Sequence, residues 1–196
     1  MKNGSSVTKK QLDAATLDTQ KELFHAGFWN EGSRLQQTEV YWCRFPQITV
    51  PDALGFFVAQ SHFLHSLVRY EVGHIYVPNW VLWHGHRQQR GSLRDILRHE
   101  YGHAVAHYYP ALINGKRFQE SFGGKYNDDD FSEDWDGDFV SDYASTRPME
   151  DFAETFAVYL RSKGQIPVRF AIPSIKKKWK FIRDLGRVVA SGGSRW

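Results

Sequence analysis

The chain of 196 residues carries 25 basic and 22 acidic side chains for a formal charge of +3, and 41% of it is hydrophobic, 15% aromatic. That length suits one domain able to bury roughly two thirds of its unfolded surface, and the aromatic content argues against disorder. One cysteine, Cys43, excludes an internal disulfide and any cysteine-based zinc finger or ribbon, and points to a reducing compartment. Met1 to Gln11 holds no apolar leader, and the longest near-continuous apolar run, Ala53 to Ala59, is far short of the ~20 residues of a membrane span. The cytoplasm is therefore the default compartment, with export as an effector left open.

The spacing predicts a helix over 8–26, with Leu12, Ala15, Thr19 and Leu23 on one face and Gly27 as its stop. Residues 38–45 read as a strand ended by Pro46, and 52–68 as a helix starting at Asp52 with Leu54, Phe57, Val58, Ser61 and Leu64 on one side. Residues 74–83 read as a strand broken by Pro78, which suits a sheet edge. A clear helix follows: Ser92 caps it with Asp95 three residues on, Leu93, Leu97, Ala104 and Tyr108 share a face, and Pro110 ends it. A long polar segment, 111–146, reads as loop. A second clear helix starts at Pro148 with an apolar stripe of Phe152, Phe156 and Tyr159/Leu160, ending at Gly164. A last helix, 174–190, is expected to bury Ile175, Trp179, Ile182 and Val189.

The first clear helix carries His99-Glu100-Tyr101-Gly102-His103. Two histidines at i and i+4 lie about 6 Å apart along the axis on one face. Their imidazoles can converge on one zinc ion at bonds of about 2.0–2.1 Å. Glu100, one residue after the first histidine, is placed to reach an attacking water rather than the ion, and so to act as a general base. The bland alternative is a surface helix whose histidines happen to share this spacing.

A third ligand is required. His107 lies two turns past His99, about 12 Å along the axis, too far to share one ion. A further histidine six residues after His103 is absent, since Tyr109 and Ala106 stand where that pattern needs His and Gly. With no cysteine pair, a carboxylate from another helix remains. Glu150 and Glu154 stand four apart on one face of the second clear helix, so Glu150 can ligate and Glu154 can accept the free ring N–H of a ligand histidine. Their bland reading is two solvated acids, with Glu154 paired to Arg161.

The run from Asp142-Tyr143 through Pro148-Met149-Glu150-Asp151-Phe152-Ala153-Glu154, about 45 residues after His-Glu-Tyr-Gly-His, resembles the gluzincin metallopeptidases. It is most similar to the protease domain of anthrax lethal factor and to a bacterial family of zinc-binding metallopeptidases, over residues 91–164. The resemblance implies an α+β, zincin-like metallopeptidase fold with a small mixed sheet, an H-E-x-x-H helix and a Glu-donating helix. It implies one zinc per chain held by His99, His103 and Glu150, with Glu100 as catalytic base, Tyr143 as oxyanion donor and Glu154 behind a ligand. It also implies a peptide or protein substrate lying as an added strand along a sheet edge, for which the Pro78 strand is the expected edge. The alternative is a non-catalytic zinc-binding regulatory protein that keeps the site.

Residues 1–196 are thus expected to form a single domain: a helical extension over 1–35, a catalytic core over 91–164 and a basic helix over 174–190. Asp128 to Asp142 holds eight acids and no base, whereas Arg169 to Trp196 holds eight bases and one acid. The acidic run fails as an EF-hand, because setting Gly137 at loop position 6 puts Ser132 and Tyr143 where Asp and Glu are needed. It reads as a solvated loop leading into Tyr143, able to favour basic substrates. The basic helix reads by default as a solvated face, with nucleic acid or a membrane surface as less favoured partners. His84/His86 and His62/His65 are weaker metal candidates, and Cys43 reads as a buried strand residue.

Overall fold

The computed structural model describes residues 7–43, 55–64, 68–78, 92–133 and 135–196. Among them, six α-helices and one three-stranded mixed sheet make an α+β architecture. Among the described residues no helix is long and apolar enough to cross a membrane.

Helix α1 (Lys9–His25) opens on a reciprocal cap, with the Thr8 N–H donating to Gln11 and the Gln11 N–H to the Thr8 hydroxyl. Its buried residues are the expected Leu12, Ala15, Thr19 and Leu23. Strand β1 (Glu39–Cys43) runs parallel to β3 (Val68–Pro78), and β2 (Phe56–Leu64) runs antiparallel to β3 on its other side. The helix expected over 52–68 is therefore corrected to a strand where it is described. Its apolar spacing fits a helical stripe, but a short apolar run is ambiguous, and here pairing decides: Phe56 to Leu64 match Tyr76 to Val68 residue for residue. The beginning of that expected helix, the end of the 74–83 strand, and His65, His84 and His86 lie outside the described residues, as does the side chain of His62.

The Pro78 strand is a second correction. β3 is central, flanked by β1 and β2, and so is not an edge. Pro78 is tolerated because it is the last residue of β3, opposite Cys43 on β1, beyond the Phe56–Tyr76 pair where β2 begins. Cys43 itself is only half-buried. Phe57 and Ile75 are paired across β2 and β3, and Ile75 and Val77 are fully buried. Gly73 donates its N–H to the Tyr108 hydroxyl at 2.6 Å, tying β3 to the helix behind it.

That helix is α2 (Leu93–Tyr108), capped as expected by a Ser92 N–H to Asp95 bond of 2.9 Å. Its N-terminal half is fastened to α1 by Arg98, which is buried between Glu22 and Asp95 at 2.6 Å from each. The segment expected as loop over 111–146 is instead opened by two short helices, α3 (Pro110–Ile113) and α4 (Lys116–Phe122). Phe118 and Phe122 of α4 are fully buried, so the polar average of that stretch conceals one apolar face. Helix α5 (Pro148–Arg161) buries Phe152 and Phe156, and α6 (Pro173–Ala190) buries Ile175, Trp179, Ile182 and Val189. Phe118, Phe122, Phe152 and Phe181 meet in one aromatic cluster, with ring centroids 4.8–6.3 Å apart.

Helices α2 and α5 cross where Gly102 faces Ala153, and a Cβ on Gly102 would stand 3.0 Å from the Ala153 Cα. The glycine between the two motif histidines therefore sets how near α5 approaches. Gly102→Val is expected to push the helices apart, destabilising the protein by about 1–3 kcal/mol. Thermal unfolding reads that loss.

Candidate metal centre

His99 and His103 sit one turn apart on α2, and Glu150 sits in the first turn of α5, facing them across the Gly102–Ala153 contact. One ligand atom from each of the three lies within 4.8 Å of the others, the group of described residues able to hold a metal ion. His99 Nε2 and His103 Nε2 are 3.1 Å apart, and Glu150 Oε2 is 3.2 Å from the first and 3.6 Å from the second. His99 and Glu150 are buried, and His103 is partly so.

The outward ring nitrogens are occupied. His99 Nδ1 lies 2.7 Å from Glu154 Oε1, and Glu154 Oε2 accepts from the Ser141 hydroxyl at 2.8 Å. His103 Nδ1 lies 2.8 Å from the Tyr126 hydroxyl. An ionised carboxylate only accepts, so in the neutral imidazole that a metal requires Glu154 keeps the His99 proton on Nδ1 and leaves the Nε2 lone pair facing inward.

Two features of the chain test whether a cation fits. Glu150 Oε2 is buried and makes no hydrogen bond, although it stands among polar atoms. A tetrahedral ion with bonds near 2.0–2.1 Å holds its ligand atoms roughly 3.3 Å apart, which the spacings of the three inward atoms match. The electrostatics agree. Burial alone would lower the His99 pKa, but Glu150, Glu154 and Glu100 outweigh it and raise it to about 9. Burial would raise the Glu150 carboxyl, but His103 and His99 hold it far below the ordinary range. The pocket favours positive charge between these groups, and two nitrogens with one carboxylate suit zinc.

Glu100, the residue after His99, is buried and abuts the start of β2: a Cβ on Gly55 would lie 3.2 Å from both its Cγ and its Oε1. Tyr143 is half-buried at a short 3-10 turn leading into α5, its ring centroid 5.9 Å from that of His99. His107 points elsewhere, its ring 5.6 Å from Phe57. Arg161, the bland partner for Glu154, lies 3.5 Å from Asp95.

Sequence reasoning passed over three contributors. Tyr126 and Ser141 lie in the segment read as featureless loop. Asp151, beside Glu150, forms a fully buried ion pair with Lys178 of α6 at 2.7 Å. Lys178 also donates to the Asp138 carbonyl at 2.6 Å and lies 4.6 Å from the Phe139 ring centroid. The inward face of the basic helix thus carries a structural lysine, which departs from its reading as a solvated surface at that one position. The signal available was positional: in the amphipathic pattern of α6, Lys178 falls on the buried face between Ile182 and Leu185, four and seven residues on.

No curated protein and no solved structure matches the chain. A family model described as "Putative zinc-binding metallo-peptidase" matches residues 62–171, more than half of the chain, spanning β3, both helices of the centre and the segment between them. By that match, and with a three-residue metal group inside it, the chain belongs to this family of zinc-binding metallopeptidases.

Proposed function

We propose that the chain is a zinc-dependent peptidase of the gluzincin type, with a zincin-like fold similar to the protease domain of anthrax lethal factor. In this reading His99, His103 and Glu150 hold one zinc, Glu100 is the general base and Tyr143 stabilises the oxyanion. The observation that carries it is the convergence of three ligand atoms around an unbonded, buried Glu150 oxygen. When bound, zinc supplies Lewis-acid polarisation of the scissile carbonyl and lowers the pKa of water toward ~7.

The chain's own residues do the rest. Glu100 accepts a proton from the attacking water and passes it to the leaving amine, and its burial beside Gly55 keeps the carboxylate in one place. The Tyr143 hydroxyl donates to the carbonyl oxygen as that atom gains charge. Glu154, itself steadied by Ser141, holds His99 in the tautomer that ligates. An extended substrate strand lies along β2, the flanking strand whose start adjoins Glu100, in place of the Pro78 strand first expected. The acidic segment before Tyr143 favours basic side chains on that substrate. The whole chain acts as one domain.

The test is cleavage of a diverse peptide library by zinc-loaded protein, alongside metal analysis after dialysis. The expected result is one zinc per chain and a defined cleavage preference enriched in basic residues. One zinc without cleavage would favour the regulatory alternative, and no retained metal would remove both readings.

A further inference from the structure

We propose that Tyr126 is the positioning residue for His103: its hydroxyl accepts the Nδ1–H of that imidazole and so presents the Nε2 lone pair to the metal. The inference rests on the zinc reading above and adds to it a partner of a different chemical kind. His99 is backed by a carboxylate, which fixes its tautomer by charge. His103 is backed by a neutral phenol at 2.8 Å, which fixes it by geometry. A phenol oxygen can accept or donate, so its placement has to be enforced by the surrounding chain.

That enforcement is visible. The Tyr126 ring packs edge-on against Phe118 and Phe152 at 5.8 and 6.2 Å. Its backbone leaves α4 through Gly123, whose φ of 74° and contact with Trp135 admit no side chain: a Cβ there would collide with the Trp135 ring. The Ser132 N–H and hydroxyl both donate to the Gly123 carbonyl, at 2.7 and 2.8 Å. The Lys125 N–H donates to Asp128 Oδ2 at 2.7 Å, closing the turn that carries Tyr126. The start of the acidic segment thus holds the partner of His103. Near its other end, Ser141 holds the partner of His99. One segment therefore orients both histidines from behind.

The test compares wild type with Tyr126→Phe, which keeps the ring and removes the hydroxyl. Zinc affinity is measured by competition with a chromophoric chelator, and side-chain imidazole protons by nitrogen-edited NMR of the zinc-loaded protein. The expected result is affinity weakened by about 10-fold or more, with a slowly exchanging His103 Nδ1–H in wild type that is lost in the variant. The His99 Nδ1–H, held by Glu154, persists in both. Equal affinities with an unchanged His103 signal would overturn the proposal while leaving the zinc reading intact. Wild type that binds no zinc would overturn both. Should the variant not fold, the wild-type spectrum alone decides, since a His103 lacking a protected Nδ1–H is incompatible with the proposal.

Discussion

Glu100→Gln is expected to lower peptide cleavage by about 10²–10⁴-fold while the protein still binds one zinc. Glutamine has the shape of glutamate, so it fits the space bounded by Gly55 and Ile96 without moving α2. It cannot accept the proton of the attacking water, so the loss falls on kcat more than on KM. Metal analysis and circular dichroism of the same preparation separate this outcome from unfolding or loss of zinc. Cleavage retained at the wild-type rate would show that another group is the base. Zinc lost together with activity would place Glu100 among the groups that hold the ion.

The second large effect concerns stability. Lys178→Ala is expected to destabilise the protein by about 3–5 kcal/mol, because it leaves the Asp151 carboxylate buried without its countercharge. At roughly 2–4 °C per kcal/mol for a chain of this size, melting falls on the order of 10 °C. Burial pushes the Asp151 carboxyl up to about 6, against the pull of Lys178 and Thr155. It pushes the Lys178 ammonium down, against the pull of Asp151 and Asp138. Both ions thus carry a desolvation penalty that their pairing offsets. The double variant Lys178→Met with Asp151→Asn removes penalty and pairing together and is expected to recover most of the loss. Thermal unfolding of Lys178→Met, Asp151→Asn and the double variant checks this, and additive losses would show that the ion pair is not the cause.

What the sequence revealed depended on whether the deciding physics was local. Both site helices, one capped by Ser92 and the other opened by Pro148 at its first position, follow from spacing within a few residues, and so does the register that puts His99 and His103 on one face. That Glu150 faces them follows from a long-range helix contact, which spacing suggested only through a shortage of other ligands. β2 was misread because Phe57, Val58, Ser61 and Leu64 fit a helical stripe, and only pairing with β3, a non-local interaction, removes the ambiguity. β3 was misplaced at an edge because a proline disfavours central strands, whereas Pro78 is the last residue of its strand, where β1 is its partner among the described residues. Tyr126 and Ser141 were missed because a hydrogen bond between a loop and a helix leaves no period in the sequence. Lys178 was missed because a run of lysines reads as one solvated surface until one of them is seen to turn inward.

The two ion pairs at the back of the site have a consequence for where this protein can be cut. Arg98 immediately precedes one candidate ligand, and Asp151 immediately follows another. Their countercharges, Glu22 and Lys178, stand on α1 and α6, on either side of the matched residues 62–171. A fragment trimmed to that match would keep every candidate ligand, but it would strand the buried Asp151 and leave the buried Arg98 with Asp95 alone. Helices α1 and α6, which carry none of the recognisable chemistry, therefore supply the countercharges that let the two site helices bury ionised side chains next to the candidate ligands.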